Sequence, residues 1–194
     1  MPAKTFFITG DAAADRLLAE DPLALLLGML LDQQVPMEWA FQAPSILRER
    51  LGGQLDAGKL AAMSEDDVIQ LFVEKPALHR YPASMAKRAH ALCIALTESY
   101  DGDASKIWTE ASSGADLVKR VMALPGFGKQ KAQIFTALVA KQLGVRPDGW
   151  EKAVGDYSLD GYRSVADVVD PDSLGKVRAY KKEKKAAAKA PANG

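Results

Sequence analysis

The chain has 194 residues, and 48% of them are hydrophobic, which is enough apolar surface to bury a core as one domain or two small lobes. Its single cysteine excludes a disulfide framework and a cysteine-based metal or iron–sulfur site within the chain. The N-terminus lacks the apolar core of a signal peptide, and the longest apolar run, residues 23–31, is far shorter than the roughly 18 residues of a membrane span. We therefore expect a soluble, cytoplasmic protein that contacts no membrane.

The net charge is zero, with 25 Lys and Arg residues and 25 Asp and Glu residues, but the distribution is uneven. Seven of the basic residues and a single acidic residue follow position 175, so the body is mildly acidic and the tail is basic. Residues 181–194 are too polar to pack, and we predict a disordered tail there. This distribution argues against a strong overall attraction to nucleic acid and favours local phosphate contacts assisted by a basic arm.

The first half of the chain predicts a series of helices. Asp21 and Pro22 are typical of an N-cap and the first residue of a helix, which should run to about Leu31. This helix has no polar face, so we expect it to be the buried centre of the fold. Residues 4–9 predict a short strand or an extended lead-in. Other helices are predicted over residues 12–19, from 37 to 51, from 64 to a proline-containing loop at 74–82, and from 84 to about 100.

The second half is also helical by its pattern. An apolar stripe over residues 117–122 predicts one helix, and a second stripe over residues 132–143 predicts another. A short helix should follow Asp148, and a last helix should begin at Asp170 and Pro171. With negligible strand content and no repeat, the sequence predicts an all-α fold.

The stretch Leu124–Ala132 joins the two apolar stripes. Pro125 disfavours helical dihedral angles at Leu124, so the first helix should stop there. Gly126 and Gly128 can take positive φ at little cost, as a tight reversal requires. The backbone N–H groups of such a hairpin should point outward at a helix N-terminus, which is an anion site by geometry.

This stretch resembles the helix-hairpin-helix motif, here over residues 115–143. The resemblance implies that the hairpin amides hold a DNA phosphate without reading sequence. Phe127 matches the motif's hydrophobic position and should anchor the hairpin in the core. Site residues are expected at Gly126, Phe127, Gly128, Lys129 and Lys131. The alternative is an ordinary helical corner with a tight glycine turn.

Two more blocks, residues 26–40 and 80–102, are similar to the helix-hairpin-helix (HhH-GPD) DNA glycosylase superfamily. The resemblance implies two helical lobes with a cleft between them. One lobe would hold residues 21–144, and the other would pair residues 1–20 with 145–180. This chain lacks the cysteine loop with which some relatives bind an iron–sulfur cluster.

The resemblance also suggests which side chains fill the gap left by a flipped-out nucleotide. Gln34, with Gln33 beside it, stands where the family has its gap-filling Gln. Tyr81 or His79 lies in the loop that carries the second wedge. The alternatives are that Gln33 and Gln34 cap the buried helix and that Tyr81 belongs to the core.

The family's chemistry needs a carboxylate that stabilises an oxocarbenium-like transition state and orients the attacking water. Counting from the motif places the family's Asp at Asp148, although Asp148 equally resembles a capping residue. An inserted stretch could instead deliver Asp167, or neither residue is catalytic. The lysine of family members that also cleave the backbone is replaced by Gln130, and we expect no Schiff-base chemistry because Lys131 is on another face of the helix.

The sequence therefore predicts a monomeric, monofunctional DNA glycosylase of base-excision repair. Its partner would be double-stranded DNA with a damaged or mispaired base, and it would need no cofactor. His79 and His90 have no partners at metal-ligand spacing, so no metal site is expected. An alternative is a non-catalytic module that binds damaged or distorted DNA and recruits other repair proteins. A third is a protein-interaction domain with a coincidental hairpin.

Overall fold

The computed structural model describes residues 5–189, and every regular element within that range is helical. The predicted all-α class is confirmed, and the described part of the lead-in before residue 11 forms no strand. Two short 3-10 helices, Gly155–Ser158 and Val165–Asp167, precede the last helix. The α-helices are α1 (Ala12–Glu20), α2 (Pro22–Leu31), α3 (Met37–Arg50), α4 (Ala57–Ala62), α5 (Glu65–Val73), α6 (Pro82–Tyr100), α7 (Lys106–Thr109), α8 (Gly114–Met122), α9 (Lys129–Gln142), α10 (Trp150–Val154) and α11 (Pro171–Lys189).

Helix α2 is the buried centre of the fold, as its sequence predicts. The Asp21 side chain accepts hydrogen bonds from the N–H groups of Leu23 and Ala24, which caps the helix. Every residue from 23 to 31 is buried. Gly28 lets α3 approach closely, because a Cβ there would collide with the ring of Phe41. The backbone of α2 is therefore fixed at its start and along its length.

The helices pack in two groups around one continuous apolar core. In the first group, α1 and α2 pack against α3, while α4 and α5 pack against α6. In the second group, α8 and α9 pack against each other and against α10, and α9 also packs against the 3-10 helix Val165–Asp167. The division into lobes at residues 21–144, 1–20 and 145–180 stays a prediction. The hairpin between α8 and α9 lies against the C-terminal end of α2, where the two groups meet.

Helix α11 corrects one expectation. Residues 181–189 of the predicted disordered tail continue this helix, and residues 190–194 lie outside the described range. Buried Val177 anchors its first half, while Arg178 forms an ion pair with Glu38 and Lys181 forms one with Asp32. Lys and Ala have high helix propensity, so the helix continues once these contacts fix its first turns. The contacts join residues far apart in sequence, so composition alone does not predict them.

Candidate nucleic-acid interface

The hairpin between α8 and α9 is fastened to the core at two points. The N–H of Phe127 donates to the carbonyl of Leu124 over 3.2 Å, and Gly126 has a φ of 84°, which favours glycine. A Cβ at Gly126 would also collide with the side chain of Leu30 in α2. Phe127 is buried, and its ring packs edge-on against Phe135 with the centroids 6.3 Å apart. This conformation holds the following residue at a fixed place on the surface.

That residue, Gly128, is the N-cap of α9 and leaves the helix N-terminus open. Its φ is −81°, so only Gly126 of the two hairpin glycines has the positive φ expected from the sequence. No side chain caps α9, whereas Ser113 caps α8 by accepting from a backbone N–H. Gly128, Lys129 and Gln130 are all exposed. The first-turn N–H groups of α9, which have no intrahelical acceptor, therefore face solvent beside a lysine.

Lys131 joins the first turn of α9 to the C-terminal end of α2. Its Nζ donates to the carbonyl of Leu30 over 3.1 Å. Burial lowers the pKa of the Lys131 ammonium to about 8; the charge of Asp32 acts in the opposite direction, and those of Lys181 and Arg88 reinforce the lowering. The hairpin therefore lies against the loop that follows α2, at a small cluster of charges.

The two glutamines of this loop have different environments. Gln33 Nε2 donates to the carbonyl of Leu30 over 2.9 Å, and its Oε1 accepts from Arg88 over 3.1 Å, so Gln33 both caps α2 and joins it to α6. Gln34 is exposed and has a φ of 60°, which is uncommon outside glycine. It lines a cavity of about 390 Å³ together with Val35, Pro36, Arg80 and Lys185.

Buried His79 connects this loop to the loop before α6. Its Nε2 lies 3.1 Å from the carbonyl of Leu31 and 2.9 Å from that of Gln33, while its Nδ1 accepts from the N–H of Tyr81. Such bonds place the proton on Nε2, and burial lowers the pKa of His79, so the ring is neutral. Tyr81 is 44% exposed, with the Arg80 guanidinium 5.5 Å from its ring centroid. Gln34 and Tyr81 are thus presented on adjacent, mutually braced loops.

Asp148 is not near the hairpin. Its carbonyl accepts from the N–H of Gly114, the first residue of α8, over 2.8 Å. Helix α8 has nine residues, so this end lies about 13 Å from the end that enters the hairpin. The N-cap of α10 is Gly149 rather than Asp148, and no side chain caps that helix. The capping role suggested for Asp148 by the sequence is wrong, because Gly149 adopts the left-handed conformation and starts the helix itself.

Asp167 lies at the far end of α9. Its Oδ1 accepts from Lys141 over 2.6 Å, and its Oδ2 accepts from the N–H groups of Arg163 and Ser164 over 2.8 and 3.2 Å. Lys141 is in the last turn of α9, a helix of 14 residues, so about 20 Å separates this end from the hairpin. Asp167 also lines a cavity of about 520 Å³, which has none of the hairpin residues in its wall. Both oxygens of this carboxylate already have donors.

Asp32 and Lys181 were not among the residues expected at the site, yet they form an ion pair at the end of α2 that Lys131 contacts. The Asp32 carboxylate is 6% exposed, and its Oδ2 lies 3.2 Å from Lys181 Nζ. Asp32 directly precedes Gln33 and Gln34, so its position in the sequence could have indicated that it lies beside them. Lys181 is 149 positions away, and no local pattern links the two. Trp39 was also missed, although it is 38% exposed and its ring centroid lies 6.5 Å from that of His79.

Within residues 5–189, no group of three or more His, Cys, Asp or Glu side chains is placed to hold a metal ion. Over the same range, no helix is both long and apolar enough to cross a membrane. Cys93 is buried on α6, and burial raises the pKa of its thiol to about 12, so it is inert packing.

No protein-family model matches the sequence, and no curated protein matches it. Among solved structures, the chain is similar to the H. pylori 3-methyladenine DNA glycosylase (MagIII) bound to 1,N6-ethenoadenine, with a TM-score of 0.50 and 16% identity over 87% of this chain and 92% of that one. It is also similar to an endonuclease III in a trapped covalent complex with DNA, with a TM-score of 0.46 and 19% identity over 64% of this chain. The match spans about half (49%) of that endonuclease III chain. The all-helical architecture and the likeness to MagIII together identify the fold as that of the helix-hairpin-helix DNA glycosylases.

Proposed function

We propose that the protein is a monofunctional DNA glycosylase of base-excision repair. Its substrate would be double-stranded DNA in which a damaged or mispaired base is flipped out and its N-glycosidic bond is hydrolysed. One observation carries the proposal: the uncapped, exposed N-terminus of α9 is joined by the bond from Lys131 to Leu30 to the end of α2, and the loop that presents Gln34 follows directly from that end. A plain phosphate-binding hairpin has no need of that loop. The protein would act as a monomer in the cytoplasm and without a cofactor.

The hairpin would hold the DNA backbone. A phosphate oxygen accepts strong, charge-assisted hydrogen bonds from the free N–H groups at a helix N-terminus, and the helix dipole favours its charge. Gly126 and Gly128 let the backbone approach closely, and Lys129 adds a positive charge at the surface. Phe127 and Lys131 would act indirectly by fixing the hairpin to the core and to α2. Such contacts position the protein without reading sequence.

The braced loops would fill the space that the flipped nucleotide leaves. Gln34 projects from a backbone conformation that turns it away from the core, and Tyr81 is the exposed aromatic side chain of the neighbouring loop. Gln33 would mainly hold this arrangement, since both of its amide atoms already have protein partners. Filling the gap offsets part of the cost of unstacking the base.

Base release would be a hydrolysis assisted by a carboxylate. Asp148 and Asp167 stay the residues that the sequence favours for this role, with Asp148 first. Absence of lyase activity is proposed because Gln130 cannot form a Schiff base and its amide bonds to the hydroxyl of Tyr157 over 2.9 Å. Lys131 faces α2 instead, where its amine bonds to Leu30.

The proposal is tested by incubating the wild-type protein with duplexes that each contain one uracil, alkylated, oxidised or mismatched base. We expect strand cleavage at that base only after alkali treatment, because a monofunctional enzyme leaves an intact abasic site. Cleavage without alkali would contradict the monofunctional assignment. Intact strands for every duplex after alkali treatment would contradict glycosylase activity altogether.

One observation favours a second candidate, a non-catalytic module that binds damaged or distorted DNA and recruits repair proteins. Asp148 and Asp167 lie at the ends of α8 and α9 that are remote from the hairpin. If no carboxylate acts on the flipped nucleotide, the protein would bind phosphate and fill the gap but would not release a base. Tight binding to mismatched duplexes without base release would favour this candidate.

A further inference from the structure

A hydrolytic glycosylase needs a carboxylate close to the reacting sugar, and the two acids favoured by sequence lie at the ends of α8 and α9 that are remote from the hairpin. The transition state carries positive charge on the sugar, and a carboxylate stabilises it only at close range, in a site sheltered from water. Helices α8 and α9 are about 13 and 20 Å long, so acids at their far ends do not reach a sugar held at the hairpin without a large rearrangement.

We infer that Asp32 is the catalytic carboxylate, an inference that rests on the proposed glycosylase function. Asp32 is the C-cap of α2, two residues after the carbonyl that Lys131 of the hairpin helix bonds. Its side chain is 6% exposed, which gives a carboxylate the low-dielectric setting that strengthens its field. It directly precedes Gln33 and Gln34. The same short loop would therefore supply both the gap-filling side chain and the acid.

The reaction balances with Asp32 and one water. The bond between the sugar C1′ and the base nitrogen breaks, and its electron pair leaves with the base. Asp32 stabilises the resulting oxocarbenium ion, and the water oxygen forms the new bond to C1′. One proton of the water passes to the Asp32 carboxylate, which releases it to solvent and is ionised again. The departing base takes up one proton from solvent, so the free base and an abasic sugar are the products.

Lys181 covers this carboxylate, with its Nζ 3.2 Å from Asp32 Oδ2. The ion pair joins Asp32 to the second half of α11, where residues 182–189 are exposed. Lys181 itself is 40% exposed, so its ammonium group can exchange the carboxylate for a DNA phosphate as the duplex docks. The exchange would uncover Asp32 when substrate is present. Arg178 and Glu38 form a similar pair one turn earlier on α11 and would keep the helix in place.

The experiment compares four variants in single-turnover base release with DNA in excess of its dissociation constant. Asp32→Asn keeps the shape of the side chain and removes its charge, and Lys181→Met breaks the same ion pair while keeping the carboxylate. Asp148→Asn and Asp167→Asn test the other two acids. We expect Asp32→Asn to lower the rate constant by about 100-fold or more with DNA affinity unchanged or tighter. Asp148→Asn and Asp167→Asn should release base within about threefold of wild type, and Lys181→Met should keep a larger share of the rate than Asp32→Asn.

The outcomes separate this inference from the proposed function. If wild type and Asp32→Asn release base at equal rates, the assignment of Asp32 is wrong and the glycosylase proposal stands. If Lys181→Met loses as much activity as Asp32→Asn, the ion pair is structural and the assignment is again overturned. Asp32→Glu guards against misfolding, because a retained carboxylate should restore part of the rate. A wild type that releases no base from any duplex would refute both proposals.

Discussion

Substitution of Gly128 by Val is expected to weaken DNA binding while the fold stays intact. Gly128 has φ −81° and ψ 178°, which Val adopts readily, and a Cβ at this position would have no atom within 4 Å. Replacing glycine by an aliphatic residue at an N-cap costs about 0.5–1 kcal/mol of stability. The added methyl groups would stand in front of the open first turn of α9, where the phosphate is proposed to bind.

The size of the binding effect follows from the bonds that are lost. A hydrogen bond to a charged group contributes about 1.5–3 kcal/mol. At about 1.4 kcal/mol for each factor of ten, the loss of one phosphate contact weakens binding about 10- to 100-fold. Fluorescence anisotropy with a labelled duplex at fixed salt measures the dissociation constant, and thermal melting followed by circular dichroism measures the fold. Ala62→Val, at an exposed position of α4, is the matched control and should change neither.

Gly126 is less suitable for this test. Its φ of 84° strains any other residue by about 1–3 kcal/mol, and a Cβ there would collide with Leu30. Gly126→Ala should therefore lower the melting temperature, so a loss of binding could not be attributed to phosphate contact. A folded Gly128→Val protein that binds duplex DNA as tightly as wild type would refute the phosphate-binding hairpin.

Three further predictions concern the basic tail, the absence of lyase activity and the buried ammonium of Lys131. Removal of residues 181–194 should weaken DNA affinity and flatten its dependence on salt, with a melting temperature close to wild type; an unchanged salt slope would contradict a role in phosphate binding. Borohydride added to the protein with an abasic or lesion-containing duplex should trap no covalent adduct. A trapped adduct would contradict the monofunctional assignment, and its loss in Lys131→Gln would identify the Lys131 amine as the nucleophile. Burial lowers the pKa of Lys131 from its ordinary value of 10.5 to about 8, so between these two pH values the unfolded chain binds this proton and the folded protein does not. The contribution of Lys131 to the free energy of unfolding therefore rises with pH over that range. Urea titrations at several pH values should show that rise in wild type and a smaller one in Lys131→Met. If the two proteins show the same dependence of unfolding free energy on pH, the Lys131 ammonium is solvated rather than buried.

Local sequence rules predicted the parts of the fold that depend on neighbouring residues. Asp21 and Pro22 start α2 as expected, because a cap and its helix lie within one turn of each other. The hairpin follows from Pro125 and Gly126 for the same reason. Two local predictions failed: Gly128 has a φ of −81° rather than a positive one, and Gly149 rather than Asp148 is the N-cap of α10. Asp148 and Gly149 could each be the N-cap of α10. The Asp148 carbonyl accepts from the N–H of Gly114, and Gly149 is the N-cap.

The charged cluster of Asp32, Lys131 and Lys181 at the end of α2 could not be predicted from local patterns. Lys181 belongs to a lysine-rich tail that composition describes as disordered, and it becomes ordered through the contact with Asp32 and the anchoring of Val177. His79 has no metal partner by spacing, and its role as a brace between two loops depends on carbonyl groups 46 and 48 positions away. Contacts of this kind form only when distant segments pack, so local sequence patterns do not reveal them.

The most direct test of the central claim is the intact mass of a lesion-containing duplex after incubation with the wild-type protein. Hydrolysis of one N-glycosidic bond predicts a single unbroken product strand that has lost the base and gained the elements of water. It also predicts an equal amount of free base and a protein of unchanged mass. Strands of unchanged mass across the whole set of lesions, under conditions where the protein binds them, would contradict glycosylase activity.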